Sequence, residues 1–188
     1  NFLVQNKSYE FFDDYLKNQF SKKKVTIKNS NFFFQDKNNK TISIFPIKTI
    51  NLFYDEEELV NKMIAKGKFF KIPFNLNWYK NFEKDTKSVT VIKLKKLDLE
   101  IKNESFIKDK KYFARNNIFF RNAKLYSNFQ IQNNLISFNS ENSKIVNNNL
   151  DYNGEIYLEP FDMKLEINLD KLNLIKFLTS SFAFIKSS

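Results

Sequence analysis

Both glycines of this chain stand six residues ahead of a Pro-Phe pair, in two stretches that copy each other. Gly67-Lys68-Phe69-Phe70-Lys71-Ile72-Pro73-Phe74-Asn75-Leu76-Asn77-Trp78 and Gly154-Glu155-Ile156-Tyr157-Leu158-Glu159-Pro160-Phe161-Asp162-Met163-Lys164-Leu165 share Gly, Pro-Phe and apolar positions at the same offsets. With 2 glycines and 3 prolines in 188 residues, a duplicated β unit explains this better than coincidence. One strand-forming unit used twice points to a stacked, extended sheet and away from a one-pocket enzyme.

Each copy has a one-sided apolar stripe. In the first, Phe70, Ile72, Phe74, Leu76 and Trp78 fall at every second position, with Lys71, Pro73, Asn75 and Asn77 on the other face. In the second, Tyr157, Phe161, Met163, Leu165, Ile167 and Leu169 are expected to share a face, opposite Asp162, Lys164, Glu166 and Asn168; Glu159 is the mismatch, standing where the first copy has Ile72. The glycines read as exits from a helix or turn that launch each strand, and the prolines as edge or bend residues.

The rest of the chain is also mostly strand. Val25 and Ile27 alternate with Thr26 and Lys28, Phe32-Phe33-Phe34 leads into the turn Asp36-Lys37-Asn38-Asn39, and Thr41 to Tyr54 forms a return strand that bends near Pro46. Leu97, Leu99 and Ile101 alternate with Asp98, Glu100 and Lys102, and shorter strands follow from Ile118 to Val146 between Asn-rich turns. Short turns between consecutive strands imply an antiparallel meander. Three helices are expected beside it. Tyr9, Phe12, Leu16 and Phe20 recur at helical steps over residues 6–20, behind a Ser8 cap. Asp55 and Glu58 form a capping box for a helix that Gly67 ends, and Asp170 caps a helix carrying Leu174, Phe177 and Leu178. The organisation is one fragment of a larger repeat protein, 1–188, with a first β unit over 25–105 and a second over 112–180 ending in a short helix. The start at Asn1 fits an internal or processed piece.

Chemistry is constrained by what is missing. Without cysteine or histidine, this segment has no disulfide, thiolate nucleophile, imidazole base or common zinc site. Asp13, Asp14 and Asp109 find no second acid at a recognisable spacing, and there is no Gly-rich phosphate loop or nucleophile elbow. The three glutamates Glu56 to Glu58 fit the start of a helix dipole better than a cation site. The expectation is a protein that is not an enzyme, with no cofactor and no metal. The net charge of +10 is almost all lysine, spread along the chain, since Arg115 and Arg121 are the only arginines. Solvated outer faces explain it first and anionic lipid head groups second. Nucleic acid comes last and is not an expected partner, because base and phosphate recognition favours concentrated arginine.

Something must cover the apolar faces, since burying each large side chain is worth about 1.5–3 kcal/mol. A small closed sandwich or barrel usually needs glycine-bearing turns and corner glycines, of which this chain has almost none, and the three expected helices could shield only part of the sheet. An open sheet whose inner face is covered by lipid is the remaining solution. The segments Ile42 to Leu52, Gly67 to Trp78, Leu97 to Glu104, and Asn153 to Phe161 before Asn168 to Leu178, in this order, resemble the repeating segments of the AsmA-like proteins of Gram-negative bacteria. The resemblance covers most of the chain from Val25 onward, through loose patterns.

That resemblance implies a mainly β fold, an extended, twisted, largely antiparallel open sheet forming a β-taco groove, with two or three short helices. It implies phospholipid transfer or outer-membrane biogenesis, with phospholipid acyl chains, neighbouring β repeats of the same chain and inner- or outer-membrane proteins as partners. It places the protein in the periplasm, attached to the inner membrane through a segment outside this sequence. The groove would be lined by Phe70, Ile72, Phe74, Leu76, Trp78, Leu97, Leu99, Ile101, Tyr157, Phe161, Met163, Leu165 and Ile167. Two other readings stay open: a structural or adhesive β-repeat module that packs its apolar face on a neighbour, and a basic β domain that stacks bases on phenylalanines.

Overall fold

In the computed structural model, the described residues are 18–35, 41–81, 87–108, 111–132, 134–146, 148–158 and 161–169. They form twelve β-strands in two compact units, residues 1–96 and 97–188. The first unit contains β1 (Val25–Gln35), β2 (Thr41–Asp55), β3 (Val60–Phe69), β4 (Ile72–Asn81) and β5 (Ser88–Leu94), each pairing antiparallel with the next. The second contains β6 (Leu99–Lys108), β7 (Lys111–Phe120), β8 (Ala123–Gln132), β9 (Leu135–Ser140), β10 (Ser143–Ile145), β11 (Asn148–Leu158) and β12 (Phe161–Leu169). The expected antiparallel meander is present within each unit.

The helices are the correction. Among the described residues there is no α-helix, only a single 3-10 turn at Lys95–Leu97. The stretch read as a capped helix from Asp55 to Gly67 is a hairpin: β2 ends at Asp55, residues 56–59 turn, and β3 runs from Val60. The capping signal is physically real but ambiguous. Asp55 Oδ1 accepts hydrogen bonds from the backbone N–H of Glu57 (3.0 Å) and Glu58 (3.1 Å), the same bonds an N-cap aspartate makes. Leu59 then turns left-handed (φ 55°), which ends any helical path, and β3 is taken up by its two neighbours. Of the helix expected over 6–20, residues 18–20 are not helical and the rest lies outside the described residues, as does the one expected after Asp170.

Glycine has a different task from the one expected of it. Neither glycine has a positive φ, and both lie inside strands, Gly67 in β3 and Gly154 in β11. Each is covered by an aromatic ring. A Cβ at 67 would meet Phe74 Cε1 at 2.8 Å, and one at 154 would meet Phe138 Cζ at 2.7 Å. A ring laid over a strand glycine restores the packing that the missing side chain forfeits.

The duplicated unit is a hairpin in both copies, but its turn falls at different places. Gly67 pairs with Phe74 across the β3–β4 turn at Phe70-Lys71, whereas Gly154 pairs with Leu165, because β11 continues to Leu158 before β12 begins at Phe161. Equal sequence offsets therefore do not give equal positions in the sheet. Pro73 sits near the start of β4, paired with Lys68, while Pro160 lies outside the described residues.

Bulges keep the faces in phase. The register of β2 shifts between Ile47 and Thr49, just beyond Pro46, so the apolar positions change parity there and stay on one side. In the second unit β9 and β10 act as one interrupted strand between β8 and β11. At the break Ser143, 1% exposed, stands in for the ladder: Tyr126 N–H donates to its hydroxyl (2.8 Å), and the hydroxyl donates to Tyr126 O (3.0 Å).

Candidate functional site

Residues directly opposite each other in an antiparallel pair share a face, so the register assigns every side chain to one side of its sheet. In the first unit one face gathers Val25 and Ile27 from β1, Ile50 and Leu52 from β2, Met63 and Ala65 from β3, and Ile72, Phe74, Leu76 and Trp78 from β4. Ile92 of β5 joins them opposite Leu76. The other face carries Lys28, Thr49, Asn51, Lys62, Lys66, Asn75, Asn77 and Lys93 among a few apolar residues.

Four of the five expected residues of the first copy thus lie together. Phe70 does not join them: it is in the hairpin turn and 73% exposed. The contribution of β3 escaped sequence reasoning because the helix reading hid the alternation of Met63 and Ala65 with Lys62 and Lys66, whereas β2 is expected as a strand but not placed on this face.

One end of this face is closed by a short segment. Phe20, 6% exposed, lies with its ring centroid 6.0 Å from that of Trp78. Asn61, with no exposed surface, holds the segment in place: its Oδ1 accepts from Phe20 N–H (2.8 Å), and its Nδ2 donates to Asn18 O (2.8 Å). A fully buried amide is tolerable only with such partners.

The second unit repeats the arrangement on a larger scale. Its apolar face takes Leu99 and Ile101 from β6, Ile118 and Phe120 from β7, Leu125, Phe129 and Ile131 from β8, and Ile136 and Phe138 from β9. Ile156 of β11 lies opposite Ile136, and Phe161, Met163, Leu165 and Ile167 of β12 complete the face. Leu97 is placed in the 3-10 turn instead. Tyr157 lies on the opposite side. It pairs with Asp162, its hydroxyl donates to Glu155 Oε2 (3.1 Å), and Lys164 Nζ sits 5.9 Å from its ring centre. Reading both arms of the hairpin as one strand put it with Phe161; the two residues of the connection change the parity.

Cover decreases toward the edge of the sheet. Ala114, Ala123 and Leu150 are buried, but along β12 the apolar face is open: Phe161 is 74% exposed, Met163 53%, Leu165 46% and Ile167 58%. A contiguous exposed apolar surface of this kind marks an interaction site.

The other face of β11 and β12 is polar. A shallow open depression of about 370 Å³ there is lined by Ser137, Asn153, Glu155, Lys164 and Glu166, with Phe138 and Gly154. Asn153 donates to Glu166 Oε2 at 3.2 Å, so part of its polarity is spent internally. Among the described residues no three carboxylates gather closely enough to hold a metal ion. Glu56 instead pairs with Lys22, and Lys62 bridges Asp55 (2.8 Å) and Glu58 (2.6 Å). The Lys62 hydrogen bond, with those from Glu58 and Glu57 N–H, holds the Asp55 carboxyl below its usual range. Partial burial pulls Lys62 down, but its bonds to Asp55 and Glu58 outweigh this and raise its pKa.

Charge is not evenly shared, although lysines occur throughout. Residues 1–96 contain 19 Lys and Arg against 10 Asp and Glu, and residues 97–188 contain 12 against 11. Nearly all the positive excess belongs to the first unit. No family model, curated protein or solved structure matches the chain.

Proposed function

We propose that this chain is a lipid-handling β module of the AsmA-like kind, which holds phospholipid acyl chains along the apolar faces of its sheets and catalyses no reaction. The observation that carries the reading is β12: four large apolar side chains in a row on one face, all 46–74% exposed, continuing the face that β6 to β11 build. Acyl chains need no hydrogen-bond partners, so the apolar stretches of this face accept them in any register. The polar row Asn103, Asn116, Ser127 and Ser140 crosses the same face, with Asn103 donating to Asn116 Oδ1 (2.6 Å). Polar head groups would remain with the lysines and water outside. In this reading the setting is periplasmic, and neighbouring repeats of the same chain extend the surface.

The test is native mass spectrometry of the purified chain, followed by titration with a fluorescent fatty acid. Co-purifying phospholipid in the wild type, lost or much reduced in Met163→Glu/Leu165→Glu, is the expected result. Both positions are exposed, so the substitutions leave the fold intact, which circular dichroism checks. A lipid-free wild type that takes up no fatty acid overturns the proposal; if that protein self-associates through β12, a packing module without ligand replaces it.

A further inference from the structure

The tip of the β3–β4 hairpin carries a largely exposed phenylalanine, Phe70. Phe70 and Lys71, the two turn residues, both have positive φ, 46° and 68°. Asn-Gly fills such a turn with little strain, whereas a bulky side chain at positive φ is disfavoured. Phe70 recovers little by burial, being 73% exposed. Leu59 and Val146 also turn with positive φ while exposed, so the strain alone does not single out Phe70; its aromatic and basic surroundings do.

The surroundings of Phe70 form one aromatic patch. Its ring meets Phe69 edge-on at 4.6 Å between centroids, and Phe69, 40% exposed, stacks on Phe45 at 5.3 Å. Phe32, 48% exposed, lies opposite Phe45 on β1. From Val60 to Asn81 the hairpin contains five lysines and no Asp or Glu. Lys68 and Lys71 flank the tip, and neither makes an ion pair among the described residues.

We propose that this tip docks the first unit on the surface of an anionic phospholipid bilayer. Phe69 and Phe70 enter the boundary between head groups and acyl chains, while Lys68 and Lys71 reach lipid phosphates. The charge argues for a lipid surface over a protein pocket, since 19 basic residues against 10 acidic ones attract the whole unit to any extended anionic plane. A second copy of the unit would bring the same positive charge and be repelled. The proposal concerns residues apart from β12 and does not rest on acyl-chain binding there.

Vesicle flotation of the whole chain tests it, with phosphatidylcholine alone and with about one-third phosphatidylglycerol added. The wild type is expected to float with the anionic vesicles and to be released by added salt. Phe70→Asn/Lys71→Gly, which supplies the favoured turn, is expected to bind about tenfold more weakly while its thermal midpoint stays equal or rises. Phe70→Trp keeps an interfacial aromatic and should retain binding. No flotation of the wild type, unchanged flotation of the double variant, or loss of both binding and thermal midpoint in Phe70→Trp overturns the proposal. Self-association through the tip without vesicle binding overturns it as well.

Discussion

Phe138 on β9 lies across Gly154 on β11 so closely that a Cβ at residue 154 would meet its ring at 2.7 Å. A backbone carbonyl, that of Lys164, blocks the same space, as Pro46 O does at Gly67 (2.6 Å). A ring can swing aside, but a carbonyl held in a ladder cannot. Gly67→Ala and Gly154→Ala are each expected to destabilise by about 1–3 kcal/mol, the usual cost of overpacking. Adding Phe138→Ala to Gly154→Ala should recover none of it. Urea unfolding checks both, and full recovery in the double variant would show that the ring alone sets the limit.

Asn61 joins β3 to the segment that carries Phe20, through two hydrogen bonds at 2.8 Å. Replacing it with leucine removes both hydrogen bonds, one of them buried, at a cost of about 1–3 kcal/mol. Phe20 then loosens from Trp78, the only tryptophan, so emission should shift to the red before global unfolding. An unshifted emission in Asn61→Leu would mean that Phe20 holds its place without the amide.

Acid should weaken the β2–β3 hairpin through Asp55. Its pKa is lowered from 3.8 by the Lys62 hydrogen bond first and by the backbone N–H groups of Glu58 and Glu57. A depressed carboxylate pKa gives stability that is fully present above the unfolded value and is lost as pH falls through the folded one. The loss therefore belongs below pH 3.8. Asp55→Asn keeps an oxygen for the turn N–H groups but removes the charge, so it should be less stable than the wild type at neutral pH and should show a flatter acid limb. Urea midpoints measured against pH decide this, and parallel acid limbs in the two proteins would remove Asp55 from the account.

The sequence made the strands legible because period-two alternation is a direct image of a half-buried sheet. Leu99 and Ile101, and Ile72 through Trp78, land together on their faces for that reason. Hairpin connections were less legible, because parity after a turn depends on how many residues the turn uses. That is why Tyr157 and Phe161, four apart and both aromatic, face opposite ways. Asp55 failed for a different reason: aspartate accepts the same two N–H groups in a turn as at a helix start, and only pairing partners far away in sequence decide between them. The segregation of charge needed the unit boundary at residue 96 before it could be seen.

The absence of cysteine allows the faces to be probed one residue at a time. Met163 and Lys164 are neighbours on β12 but pair with Ile156 and Glu155, so their side chains leave the sheet on opposite sides. Both are exposed, and a single cysteine at either position costs little packing. A polarity-sensitive label at 163 should shift to the blue when fatty acid is added, and one at 164 should not respond. Labels at Ile156 and Tyr157 extend the comparison to β11. Reading the hairpin as one strand puts Tyr157 with Met163, whereas the register puts Ile156 there. A response at 163 and 156 with silence at 164 and 157 ties acyl-chain contact to one face. Equal responses at all four sites would reduce the apolar stripe to nonspecific adsorption, because only a ligand bound to one side can distinguish adjacent residues of a strand.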